Sequence, residues 1–243
     1  MNGKFSIIGA GLKYDLITMR GLNHLRDANI VLYDRLIDEK ILKYTDAEKI
    51  DVGKLPYIHG LKQEKINDLI RSNLIKGKNV VRLKGGDSTV FSRTIEEIEI
   101  ANETGSKVEI IPGVTSASTA ASKIGCALTD RKLSSGMILI TGHKARENLE
   151  KDYDWKAIVQ LNITVVIYMG VMNMGFIVNN LIRSGLNAKT PAIIAEKLEM
   201  ESERIFVITA DKISKVIDEK SITYPAIVII GDVLSHINKK SNV

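Results

Sequence analysis

The stretch Val80-Val81-Arg82-Leu83-Lys84-Gly85-Gly86-Asp87, running on to Phe91-Ser92-Arg93, decides how this chain is read. A β-branched strand passes directly into two glycines and a carboxylate, and a helix opens at Thr94. An open α/β sheet presents bare backbone and one anion to a ligand in this way, at the carboxyl edge of its strands. Glycine brings the main chain within contact distance, and Asp87 can accept hydrogen bonds from an amine or a hydroxyl.

On both sides of this stretch, apolar runs and helical patterns alternate. Strands are expected over residues 5–9, 30–33 and 79–83, and helices over 16–28, 63–76 and 94–103, the last with Thr94 as its cap. In the helix over 63–76, Ile66, Leu69, Ile70, Asn73 and Leu74 recur near the 3.6-residue period, and Gly77 closes it. The strands are continuously apolar rather than alternating, which calls for a sheet covered on both faces. Proline and glycine break the chain at Ile111-Pro112-Gly113-Val114, and a run of small residues, Thr115 to Ser122, follows as a closely packed helix. Further strands are expected over 137–141, 163–168, 192–196, 204–208 and 226–230, with 192–196 and 203–208 forming an antiparallel hairpin. The expected architecture is two αβα domains, 1–112 and 113–243, with mostly parallel sheets, a hairpin in the second and a site in the cleft between them.

The composition fits a globular protein: 243 residues, 44% apolar. A single cysteine, Cys126, excludes an internal disulfide and fits a reducing compartment; with no secretory signal and no apolar run of spanning length, the chain reads as cytoplasmic. The formal charge of +5 favours an acidic partner. Aromatics are only 5%, too few for base stacking, and no dense Lys/Arg block occurs, so a small polyanion explains the charge better than nucleic acid does.

Four glycine-bearing turns follow strands: Gly9-Ala10-Gly11, Gly85-Gly86-Asp87, Thr141-Gly142-His143 and Tyr168-Met169-Gly170. The first lacks the third glycine of a dinucleotide fingerprint, where Tyr14 stands. A P-loop is absent, and four scattered histidines show no metal-ligand spacing. Taken alone, Asp34 reads as a turn cap, Lys54 as a solvated lysine, and Met169 as filler at a strand end. Arg93 with Glu96 reads as a surface pair, and His143 as a residue in a hydrogen-bonding niche.

The order of motifs changes the weight of these residues. Tyr33-Asp34-Arg35-Leu36, Val52-Gly53-Lys54, Gln63-Glu64-Lys65-Ile66-Asn67, Val81 to Asp87, Phe91-Ser92-Arg93 with Glu96-Glu97, Pro112-Gly113-Val114-Thr115-Ser116, Leu128-Thr129-Asp130-Arg131, Thr141-Gly142-His143 and Tyr168-Met169-Gly170 stand in register. Over nearly its whole length the chain resembles the uroporphyrinogen-III C-methyltransferases, a group of the S-adenosylmethionine-dependent tetrapyrrole methylases. The resemblance implies methyl transfer from S-adenosylmethionine to uroporphyrinogen III, giving precorrin-2 for sirohaem or corrinoid synthesis, by a homodimer. It implies cofactor contacts at Gly11, Gly85, Gly86, Asp87, Val90, Thr115, Ser116 and Met169. Proton transfer falls to Asp34 and Lys54, with Arg82 beside them, and substrate contacts to Arg82, Arg93, Glu96 and His143. Substrates of this group carry eight carboxylates, which gives the basic excess a purpose; one guanidinium–carboxylate pair at 4 Å is worth roughly 4 kcal/mol at an effective dielectric near 20, before desolvation.

Three departures from the family pattern stand out. The first loop, Gly9 to Thr18, lacks the usual Pro-Gly-Asp and is one residue shorter; Ser88 replaces the proline after the diglycine-aspartate, which is expected to relax the loop holding Asp87; and Leu198 stands where relatives carry glycine. These departures leave two alternatives: a methylase acting on another tetrapyrrole or corrin intermediate, and a homologue that binds ligand without efficient catalysis.

Overall fold

Strand and helix alternate through residues 3–53, 63–142 and 153–237, the parts of the chain that the computed structural model describes. They form two units, Met1–Ser116 and Ala117–Val243. In the first, β1 (Lys4–Gly9), β2 (Ile30–Tyr33), β3 (Glu48–Asp51), β4 (Val80–Lys84) and β5 (Lys107–Ile111) pair in the order β3-β2-β4-β1-β5, every pairing parallel. Helices α2 (Gln63–Ile75) and α3 (Thr94–Glu103) cover one face over Phe5, Ile7, Ile30, Leu32 and Val80. Helix α1 (Met19–Arg26) and a 3-10 segment, Glu39–Tyr44, cover the other over Ile8, Val31, Val81 and Leu83. Each of these side chains contributes about 1.5–3 kcal/mol on full burial, so strands apolar on both faces end up in the middle of three layers.

The expected helix over 16–28 starts later. A 3-10 turn at Tyr14–Leu16 intervenes, and α1 begins after Thr18, whose hydroxyl accepts the Gly21 amide at 3.1 Å. Thr94 is not the cap of α3 but its first helical residue. Arg93 holds the cap position at φ 54°, and the Thr94 hydroxyl donates to the Ser88 carbonyl instead. Two strands escape the sequence reading, β3 and β5. Both lie at the sheet's edges and carry charge, Glu48-Lys49-Ile50-Asp51 and Lys107-Val108-Glu109, because an edge has water on one side.

In the second unit α4 (Ser116–Lys123) buries Ala117, Thr119, Ala120 and Ala121. Strands β6 (Met137–Thr141), β7 (Thr164–Tyr168), β8 (Pro191–Glu196), β9 (Arg204–Thr209) and β10 (Ala226–Ile230) pair as β6-β7-β10-β8-β9. The expected hairpin is present as β8–β9. The antiparallel character extends beyond it: β10 runs against both β7 and β8, and only β6–β7 is parallel. The reason is that β10 inserts between β7 and β8 in the opposite sense to both. Helices α5 (Trp155–Gln160), α6 (Met174–Arg183) and α7 (Ile213–Glu219) pack on Val165, Ile167, Ile194 and Val228. The alternate residues Val166, Ile193 and Ile229 are buried as well, so both faces of this sheet are covered. No helix among the described residues is long and apolar enough to cross a membrane.

Candidate active site

In the parallel sheet the chain leaves β1 toward α1 on one face and leaves the neighbouring β4 toward α3 on the other. The carboxyl ends of β1 and β4 thus flank the switch point at which open α/β sheets take up ligands. Glycine backbone lines it. Gly11 and Gly86 exchange hydrogen bonds at 3.0 and 2.9 Å, both at positive φ (69° and 71°), and the Ala10 amide donates to the Lys84 carbonyl at 2.8 Å. A Cβ on Gly113 would lie 2.4 Å from the Gly86 oxygen and 2.6 Å from the Gly9 carbonyl, so the turns after β1, β4 and β5 meet backbone to backbone. Thr115 and the Ser116 amide lie 4.0 Å from where a Gly86 side chain would begin. The structure therefore brings Gly11, Gly86, Thr115 and Ser116 together. Gly85 packs under Leu36, and Val90 follows in the same turn, its amide reaching the Asp87 carbonyl at 3.4 Å.

Asp87 does not offer a free carboxylate. Its Oδ1 accepts from the Thr89 amide at 2.7 Å and the Thr89 hydroxyl at 2.5 Å, and its Oδ2 accepts from the Gly113 amide at 2.9 Å. It ties the β4 turn to the β5 turn and so shapes the glycine surface. Ser88 does not relax this loop, contrary to expectation. Fully buried, it donates to the Ile111 carbonyl at 3.0 Å, and its own carbonyl accepts from the hydroxyls of Ser92 and Thr94. A serine hydroxyl supplies here the fixation that a proline ring would give by locking φ. In the altered first loop, Tyr14 packs toward the α1 face and its amide points at Asp38, 3.4 Å away, while Leu16 sits against Gly11.

Beside the glycine turns lies an ion cluster. Asp34, at the carboxyl end of β2, has a side chain one-third exposed (32%), and its Oδ1 accepts from Arg82 Nη2 at 2.5 Å. Arg82 is 4% exposed; Nε donates to Glu97 at 3.0 Å and Nη1 to the Leu32 and Leu83 carbonyls at 3.2 and 3.3 Å. The other Glu97 oxygen pairs with Lys84 Nζ at 2.8 Å, and Lys84 also donates to the Ser92 carbonyl at 2.5 Å. Burial works against the Arg82 charge, but Asp34 and Glu97 outweigh it and raise its pKa. At Lys84 burial and the nearby Arg82 charge prevail over Glu97, and its pKa falls below the usual lysine value. Arg82 is thus a buried anchor for Asp34 and has little surface with which to meet a substrate.

Arg93 and Glu96 form a bidentate pair at 2.9 and 2.8 Å on the first turn of α3, each about half exposed. In the second unit, β6, β7 and β8 run in one sense and end at one edge of the sheet. There Gly142 donates to the Tyr168 carbonyl at 2.7 Å, and a Cβ on it would lie 2.2 Å from the Gly170 Cα. Met169 is half exposed at φ 52°, presented outward rather than packed as filler. Leu198 is buried between Lys197 and Glu199, both at positive φ. Lys54 and His143 lie outside the described residues. Lys84 and Glu97 belong to the ion cluster although the sequence reading gave them no role. The available signal was two cations two residues apart in an otherwise apolar strand: both must face one layer, and both need anions there. No group of three or more His, Cys, Asp or Glu placed to hold a metal occurs among the described residues.

The family model of tetrapyrrole (corrin/porphyrin) methylases matches residues 4–214. A uroporphyrinogen-III C-methyltransferase of Bacillus subtilis (strain 168) is 40% identical over 238 residues, covering 96% of this chain and 92% of that protein. A uroporphyrin-III C-methyl transferase from Thermus thermophilus, solved in complex with S-adenyl homocysteine, is 31% identical with a TM-score of 0.78, over 96% of this chain and 93% of that one. A cobalt precorrin-4 methyltransferase of cobalamin biosynthesis superposes with a TM-score of 0.84 at 26% identity, over 95% of each chain. This chain spans about half the length of several further relatives, siroheme synthases among them. A family match over most of the chain, on the sheet order and glycine turns described, leads to one conclusion: the chain belongs to the tetrapyrrole methylases.

Proposed function

We propose that this protein transfers methyl groups from S-adenosylmethionine to carbon atoms of uroporphyrinogen III, forming precorrin-2 for sirohaem or corrinoid synthesis. The observation that carries the reading is the side-chain-free switch point of the parallel sheet, next to a carboxylate, Asp34, held at the same edge by a buried guanidinium. Glycine at 9 and 113 lets the turns after β1, β4 and β5 pack backbone to backbone, which sets Gly11, Gly86, Thr115 and Ser116 side by side. Gly11, Gly85, Gly86, Val90, Thr115 and Ser116 would hold the donor, with Asp87 fixing the turns; Met169, His143 and Lys54 keep the roles the resemblance implies. Bound there, the donor would supply a methyl group on a positive sulfur to a pyrrole carbon, the C–C bond forming as the S–C bond breaks and the neutral thioether leaving. The methylated ring system then loses a proton, which Asp34 accepts and passes to solvent. Arg93 and Glu96, exposed at the start of α3, would meet the substrate's carboxylates and ring.

A corrin intermediate as substrate is the second reading, favoured by the TM-score of 0.84 to the precorrin-4 enzyme. Fold similarity does not select a substrate. The 40% identity to the uroporphyrinogen enzyme against 26% to the precorrin-4 enzyme favours the first. We further propose that the enzyme works in the cytoplasm as a homodimer. The test is incubation with enzymatically made uroporphyrinogen III and methyl-labelled donor, followed by mass analysis of the pigment. Label in the macrocycle is expected; label only with a later corrin substrate would overturn the assignment.

A further inference from the structure

We propose that Glu97, together with Lys84, is a positioning residue for proton transfer at Asp34: it fixes the buried Arg82 guanidinium so that its outer nitrogen holds the Asp34 carboxylate at the sheet edge. The inference rests on the functional reading above. Glu97 is 1% exposed. It reaches Asp34 through Arg82, whose Nε it binds at 3.0 Å while Nη1 is held by Leu32 and Leu83 carbonyls and Nη2 by Asp34. Its second oxygen takes up the Lys84 ammonium at 2.8 Å. Two cations and two carboxylates balance, three of the four side chains are nearly out of water, and only Asp34 reaches solvent.

Such a cluster is costly to bury, and in a purely structural role apolar residues would serve as well. Here it gives a partly exposed carboxylate a fixed direction. Without the Glu97 charge, Arg82 Nε loses its anion, Lys84 keeps only the Ser92 carbonyl, and Asp34 becomes the lone counter-charge of two cations in the cluster. It is then drawn inward, and a misplacement near 1 Å can cost on the order of 10²-fold in rate.

The experiment measures kcat and KM for Glu97→Gln, Asp34→Asn and the double variant, in the full-length protein with uroporphyrinogen III and S-adenosylmethionine. Glu97→Gln is expected to lower kcat about 10- to 100-fold with both KM values within about twofold. In the Asp34→Asn background it should change kcat by less than about twofold, because Glu97 acts only through Asp34. A purely structural role would leave the two effects multiplicative, and that result, or an unchanged kcat, overturns the inference. If Glu97→Gln does not fold, Lys84→Met/Glu97→Gln, which restores charge balance, replaces it. The same loss of kcat is expected; full activity overturns the proposal. An active wild type with a neutral Glu97→Gln refutes this inference alone, whereas a wild type that transfers no methyl refutes the functional reading and the inference with it.

Discussion

Gly113→Ala tests whether the side-chain-free switch point is the donor site. The added Cβ would lie 2.4 Å from the Gly86 oxygen and 2.6 Å from the Gly9 carbonyl carbon and oxygen. Real Cβ atoms essentially never approach within 3.0 Å, so the deficit is at least 0.6 Å, and the three nearest atoms are all main chain. The turns after β1 and β4 must separate from the β5 turn, stretching the 2.9 Å bond from the Gly113 amide to Asp87. Overpacking of this kind costs about 1–3 kcal/mol, a fall in melting temperature of about 2–12 °C for a chain of this length. Because the surface that shifts is the proposed cradle, affinity for S-adenosylhomocysteine should fall at least about tenfold, the equivalent of about 1.4 kcal/mol. Gly125→Ala is the control. Nothing lies within 4 Å of its Cβ position, so only the strain of φ 63° remains, costing about 1–2 kcal/mol without touching the switch point. Urea unfolding and calorimetry with S-adenosylhomocysteine separate the two effects. If Gly113→Ala binds as tightly as wild type while losing stability, these turns do not line the donor site.

Asp34→Asn should lower turnover about 10²–10⁴-fold with S-adenosylhomocysteine affinity unchanged, and a loss below tenfold in steady-state kinetics removes Asp34 as the proton acceptor. Asp87→Ala should both destabilise and weaken donor binding, since the Gly113 and Thr89 amides lose their acceptor at about 1–3 kcal/mol each if left unpaired; weakened binding with unchanged stability would contradict this. Glu196 is fully buried, and although burial opposes its charge, hydrogen bonds from Thr223 and Arg204 hold its pKa below the usual 4.5. A depressed folded-state pKa gives stability that is present above 4.5 and lost as pH falls through the lower folded value. Glu196→Gln should therefore be about 1–3 kcal/mol less stable than wild type at pH 7, with the gap closing in acid; a pH-independent gap in urea titrations would refute it.

The sequence by itself determined the parallel, two-sided first sheet, through strands such as Phe5 to Ile8 and Val80 to Leu83 that are apolar on both faces but for Ser6 and Arg82, and the β8–β9 hairpin, through two apolar runs joined by a short charged turn. The order of its motifs was enough to mark the family, which the matches over residues 4–214 bear out. Local periodicity passed over β3 and β5, because an edge strand takes its place from its neighbour's backbone and not from its own side chains. The same limit applies at the site. That Asp87 is spent on Gly113, that Ser88 ties its loop to Ile111, and that Arg82 turns inward to join Asp34 with Glu97 are contacts across 15 to 48 residues of sequence. A charged residue's role depends on which partner burial brings within 3 Å, and only the packed layers decide that.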